Sequence, residues 1–280
     1  MFLAIALIVC SLALGADAAS AHENPPARIA ACTARLADAP DDADLYLERG
    51  QLYRLAVDWP AAEADYRTAL ALGADSTRVA VGLAALELDR DRPAAALTIL
   101  RAVSGRASGA GFLEGRALHR LGHHTEAATV LTQALATTPR PRPEDYLELA
   151  LVVGAQGDTH LPRALAVLDA GIQRMGPLVA LILAATDLEL RLGQPEAALA
   201  RLQTAPESLR ESPGWLTRRG EILLRTNSTW EAQAMFTDAL SRLEALPTAR
   251  RNAPANLELT AKLRAYLNAP LALALIHISE

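Results

Sequence analysis

The chain has 280 residues and a formal net charge of −5, and it is 51% hydrophobic but only 4% aromatic. Charges of both signs are interspersed, without the basic stripe that a nucleic-acid binder needs. Lys262 is the sole lysine and follows Ala261, which excludes the Gly-Lys-Ser/Thr core of a phosphate-binding loop.

Residues 2–15 form an uninterrupted, mostly apolar run, followed by two small-residue sites, Ala16-Asp17-Ala18 and Ala19-Ser20-Ala21. This is the pattern of a secretory signal peptide. Such a run is shorter than the roughly 20 residues that a spanning helix needs. Cleavage after Ala21 is expected, with a mature chain from His22 and a periplasmic or secreted location; uncleaved, the same run would act as an anchor. The segment carries no Lys or Arg. Cys10 follows Val9, where a lipidation motif prefers a smaller residue. Removal of residues 1–21 leaves Cys32 as the only cysteine, so no intrachain disulfide is expected. Residues 22–26 read as a short linker. Residues 27–36 read as a helix with Ile29, Cys32 and Leu36 on one face, so residues 22–42 form a linker and N-terminal cap.

From there six alanines set the organisation: Ala62, Ala96, Ala127, Ala164, Ala198 and Ala232, spaced by 34, 31, 37, 34 and 34 residues. Four residues after each stands a large apolar group: Tyr66, Leu100, Leu131, Leu168, Leu202 and Phe236. Seven after stands a smaller one: Ala69, Val103, Ala134, Gly171, Ala205 and Ala239. These offsets share one helical face. Twelve before the alanine the chain is small again, at Gly50, Ala84, Gly115, Thr186 and Gly220. Ala150 takes this role in the fourth unit if two residues are inserted around positions 158–162. Gly122, Gly157 and Gly193 supply turn signals, and Pro60, Pro93, Pro162 and Pro195 suit the first turn of a second helix. Small faces opposed to bulky ones, recurring near 34 residues, predict antiparallel helix pairs stacked in a solenoid.

These residues resemble the tetratricopeptide-repeat family, whose motif runs W-x2-L-G-x2-Y, then A-x3-F-x2-A, then P. The first unit matches it at Tyr46, Gly50, Tyr53, Trp59, Ala62, Tyr66, Ala69 and Leu70. The third matches at Gly115, Leu118, Gly122, Glu126, Ala127, Leu131, Ala134, Leu135 and Pro139, and the sixth at Gly220, Leu223, Ala232, Phe236, Ala239 and Leu240. Ala80, Thr186 and Pro206 depart from it. The resemblance implies an all-α, right-handed α-solenoid of about six helix pairs over residues 43–248, with N- and C-terminal capping helices. It also places a partner-binding groove on the first helix of each pair. The positions concerned are Gln51 and Arg54; Arg116, His119 and Arg120; Asp187 and Arg191; and Glu221 and Arg225. Arg120, Arg191 and Arg225 recur at one offset, and a guanidinium fork suits a carboxylate. The groove is therefore expected to take an extended or helical protein segment with acidic groups, unless these arginines are solvated or pair with Asp187 and Glu221. The asparagines and lysines of the family's chaperone-binding clamp are missing from these positions.

Residues 256–267 read as a C-terminal helix with Leu257, Ala261 and Arg264 spaced for packing, giving a cap over residues 249–269. Residues 270–280 form an apolar tail outside this plan. His119 and His123 have a zinc-compatible spacing, but Gly122 is expected to end the helix between them, and no metal site is assigned. Gly105, Gly109, Gly111 and Gly115 read as a loop between repeats two and three. Asp41 and Asp42 read as helix caps. Asn227-Ser228-Thr229 is a glycosylation sequon in a repeat turn. HExxH, CxxC and GxSxG motifs are absent. The expected role is a non-catalytic scaffold or adaptor of the bacterial cell envelope, needing no cofactor. The alternative is an accessory subunit of an envelope enzyme or polysaccharide-export machine. Neither nucleic acid nor a membrane span in the mature chain is expected.

Overall fold

The computed structural model describes residues 25–103 and 109–268. The apolar N-terminal run with its cleavage sites, Cys10, Gly105 and the tail 270–280 lie outside the described residues. Within them every regular element is helical, as expected of an all-α solenoid. Contacts divide the chain into two compact units, one ending at Gln156 and one starting at Gly157.

The first unit contains α1 (Pro25–Asp38), α2 (Ala43–Leu55), α3 (Trp59–Ala71), α4 (Ser76–Asp89), α5 (Pro93–Ala102), α6 (Ala110–Arg120), α7 (His124–Thr137) and α8 (Pro143–Gly154). Asp42 opens α2 by accepting hydrogen bonds from the Asp44 and Leu45 amides, Asp58 caps α3 at the Ala61 amide, and Asp75 caps α4 at the Thr77 amide. These short acidic side chains satisfy amides that have no partner inside the helix. Helices α2 and α3, α4 and α5, and α6 and α7 pack as pairs, and α2, α4, α6 and α8 lie side by side. Helix α1 packs on α2 and buries Cys32 and Leu36. It starts at Pro25, two residues earlier than the sequence reading, because proline is tolerated in a first turn whose amides have no helical partner.

The second unit opens with a 3-10 turn, Asp158–His160, where the fourth repeat was expected to carry its insertion. It continues through α9 (Leu161–Met175), α10 (Val179–Arg191), α11 (Pro195–Leu202), α12 (Glu207–Arg210), α13 (Pro213–Arg225), α14 (Thr229–Glu244), α15 (Thr248–Arg251) and α16 (Pro254–Asn268). Helices α10 and α11 pair, as do α13 and α14, and α16 packs on α14. The one-turn helices α12 and α15 escaped the sequence reading. Each begins after a proline of the same conformation, Pro206 and Pro247 (φ −52°, ψ 144°), seven residues before the next helix-opening proline, Pro213 or Pro254. That P-x6-P spacing was the available signal.

The interior follows the repeat pattern. All six repeat alanines are fully buried, and Tyr66, Leu131 and Leu202 are equally so. Tyr66 lies between Gly50 of its own pair and Gly82 of the next helix. A β-carbon on either glycine would come within 2.9 or 2.8 Å of the ring. Gly115 meets Leu131 and Gly220 meets Phe236 in the same way, under 3.0 Å. Phe236 also stacks on Tyr266 of α16 at 4.6 Å between centroids, so it joins its own pair to the helix that follows.

Two sequence expectations are corrected here. Gly111 and Gly115 lie in α6 rather than in a loop; each is small because a neighbour, Ala134 or Leu131, occupies the space of a β-carbon. The packing face of α16 is Leu259, Leu263, Tyr266 and Leu267, while Leu257, Ala261 and Arg264 are exposed. The stripe that meets α14 is set by where Phe236 and Leu243 stand, which the periodicity of α16 alone does not record.

Turns within the pairs share one geometry. Val57, Asp91, Gly122, Gly193 and Asn227 all adopt positive φ, between 57° and 82°. Each donates its amide three residues back (Val57 to Arg54, Asn227 to Leu224), and the next residue donates five back (Asp58 to Tyr53, Ser228 to Leu223). This double bond closes the last turn of the first helix and needs a left-handed residue. Gly122 and Gly193 supply it freely. Val57, β-branched at φ 64°, does so under strain.

Two stability changes follow. Val57→Gly should stabilise the first unit by roughly 1 kcal/mol, the relief of left-handed strain less the backbone entropy of glycine. Gly220→Ala should destabilise the second unit by about 1–2 kcal/mol, since overpacking outweighs the gain in helix propensity. Phe236→Leu in the Gly220→Ala background should recover part of that loss. Thermal and urea unfolding of the single and double variants measure both.

Candidate functional site

The line of first helices in the first unit carries five of the nine groove positions. On α2, Gln51 is exposed and Arg54 is half-buried, its Nη1 donating to Asp89 of α4. In the first turn of the same helices, Arg78 of α4 donates to Asp44 of α2. On α6, Arg116 makes a fork-to-fork pair with Glu148 of α8, at 2.9 and 2.8 Å. Arg120 donates to the Leu88 carbonyl at the end of α4 and lies 3.8 Å from Asp91.

The second unit carries the other four. Asp187 of α10 accepts from Arg218 of α13. Glu221 of α13 lies 2.6 Å from Nζ of Lys262 on α16 and accepts from the Tyr266 hydroxyl at 3.3 Å. Arg191 donates to Asp158 at 3.2 Å. Arg225 is exposed at the end of α13, and its charge acts on Asp187.

The geometry therefore brings the predicted groove residues together mostly as partners of one another's helices. Arg54 and Asp89 are 35 residues apart, Arg78 and Asp44 34, Arg116 and Glu148 32, and Arg218 and Asp187 31. Equivalent faces of adjacent repeats lie next to each other, so a basic group finds a carboxylate about one period away. Arg78, Arg218, Asp89 and Glu148 were not singled out from the sequence. The signal was available in opposite charges repeating near the 34-residue period.

His119 faces His124 rather than His123. Helix α6 ends before Gly122 (φ 82°), the chain reverses, and the two Nδ1 atoms come within 3.0 Å. Burial, and then the neighbouring His124, push the His119 imidazole below its ordinary pKa. No group of three or more metal-ligating side chains occurs among the described residues.

No protein-family profile matches the sequence, and no curated protein is similar to it. Solved structures do resemble it. The Pseudomonas aeruginosa pilF structure aligns with a TM-score of 0.55 at 18% identity, covering 79% of this chain and 97% of that one. A tetratricopeptide-repeat protein from Parabacteroides merdae aligns at 0.50 and 16% identity over 86% of this chain and 92% of its own. Yeast Tom70 aligns at 0.54 and 10% identity over 85% of this chain but only 47% of its own. At these identities the likeness establishes the fold, that of tetratricopeptide-repeat proteins.

The Arg116–Glu148 pair gives a direct measure of the inter-repeat ladder. Its side chains are 41% and 16% exposed, so solvent screens it only in part. A double-mutant cycle with Arg116→Ala and Glu148→Ala should give a coupling of about 1 kcal/mol, reduced in 1 M salt. The readout is unfolding free energy of the four proteins.

Proposed function

We propose that this tetratricopeptide-repeat chain is a non-catalytic protein–protein interaction scaffold or adaptor of the bacterial cell envelope. A partner segment lies along the line of first helices. The observation that carries this reading is the side-by-side alignment of α2, α4, α6 and α8, a ready-made elongated surface in the first unit. Repeat proteins use such surfaces for extended ligands. The envelope assignment is supported by the apolar run at residues 2–15 and the two small-residue sites behind it. No helix among the described residues is long and apolar enough to cross a membrane.

The internal ion pairs shape what the surface accepts. Arg54, Arg116, Arg120 and Arg191 already bond to groups of this chain, so an acidic partner must compete with Asp89, Glu148 or Asp158. Arg225 and Gln51 are exposed, Arg225 acting on Asp187 by its charge alone, and they are the positions where a partner's carboxylate or amide gains most.

Affinity purification of the C-terminally tagged protein from fractionated cells, with mass spectrometry of both the captured proteins and the mature N-terminus, tests the assignment. The expected result is an N-terminus at His22 and a reproducible envelope partner. An intact Met1 with cytoplasmic partners overturns the localisation. With the partner in hand, Arg225→Glu should weaken binding about tenfold without lowering stability. Unchanged affinity in Gln51→Ala overturns the surface of the first unit, and unchanged affinity in Arg225→Glu overturns that of the second.

A further inference from the structure

The turn between α6 and α7 holds a pair of imidazoles, His119 from the groove positions and His124, which the groove reading leaves unused. His119 ends α6 and His124 opens α7. Their rings are 4.9 Å apart between centroids and inclined by 50°, and the Nδ1 atoms approach to 3.0 Å. Both nitrogens are donors or acceptors by tautomer, so one Nδ1–H donates to the other Nδ1. The separation has a second meaning. Ligands about 2.0–2.1 Å from a metal ion stand about 2.9 Å apart at a right angle and about 3.4 Å apart at a tetrahedral one. The two nitrogens already mark one edge of such a polyhedron.

The backbone holds them there. Gly122 donates to the His119 carbonyl at 3.0 Å and His123 to that of Leu118 at 2.9 Å, which fixes the reversal between the two helices. Of the surrounding charges, Glu148 favours and Arg120 disfavours positive charge at His119. Arg116 is matched by Glu148 of α8, and Arg120 is bonded to the Leu88 carbonyl and lies near Asp91. His123 is exposed and turns to Glu126 at 4.0 Å.

We propose that His119 and His124 form a two-imidazole chelate for a divalent late transition-metal cation, with Cu²⁺ the preferred ion. The preference follows the general stability order for nitrogen sites. Starting from the neutral pair, binding moves the shared proton from Nδ1 to Nε2 of its ring, leaving both Nδ1 lone pairs for the metal with no net proton released. Among the described residues no third His, Cys, Asp or Glu completes the set. The remaining positions are filled by water, and the ion is held exchangeably.

The test is titration of the metal-stripped full chain with Cu²⁺ by calorimetry and thermal unfolding. Every protein compared carries His22→Gln, because a histidine at a mature N-terminus binds copper by itself. The expected result is one micromolar site whose occupancy raises the melting temperature and which weakens from pH 7.5 to 5.5 as protons compete. His119→Gln and His124→Gln should each weaken it about tenfold or more, while His123→Gln leaves it unchanged. His124 lies at the start of α7, so its variant remains informative if His119→Gln unfolds. Equal affinity in the His124→Gln protein, or an equal loss in His123→Gln, overturns the proposal.

Discussion

The helices of this protein are held together by a size match. A glycine or alanine on one helix lets a bulky ring or leucine on the next come to the backbone. Tyr66 against Gly50 and Gly82, and Phe236 against Gly220 and Tyr266, show it at both ends of the described chain. Close packing leaves no room for even one added methyl at these points. Because the same bulky residue touches its own pair and the following helix, the match sets both the pairing within a repeat and the stacking between repeats. The electrostatic ladder exists because that stacking brings equivalent faces of adjacent repeats next to each other.

The ladder changes how the groove is understood. Arginines repeated at one offset read naturally as forks waiting for a partner's carboxylates. In the folded chain Arg120 lies near Asp91 and Arg191 donates to Asp158, each about one repeat away, and Arg116 with Glu148 and Arg54 with Asp89 pair in the same way at neighbouring offsets. A mostly internal pairing leaves few of these charges unmatched, so on the proposed reading a partner would bind by exchange rather than by bare attraction. The buried end of this series is α11, where Arg201 bridges Asp169 of α9 and Glu189 of α10, Glu189 being only 4% exposed. There the charges serve the packing of three helices, and removing one partner leaves the other buried and unpaired.

Local chemistry and tertiary demand agree at some turns and conflict at others. Gly122 and Gly193 supply a left-handed residue without cost, and Asn227 does so at little cost. Val57 does not, and its strained conformation survives because the turn must close for α3 to reach α2. Histidines 119 and 124 are a by-product of the same closure, five residues apart in the chain and in contact only because Gly122 reverses it.

By itself the sequence determined the all-α class, the period, the paired helices, the buried alanines and their bulky partners. These are local and repeated: each depends on offsets within one helix, and six occurrences average out the departures of any single repeat. Only the tertiary structure decided which charges meet, that His119 turns to His124, and that α16 packs through Leu263 rather than Leu257. Those outcomes rest on the rotation of one helix against another, a quantity of a few ångströms that side-chain spacing along a single helix does not encode.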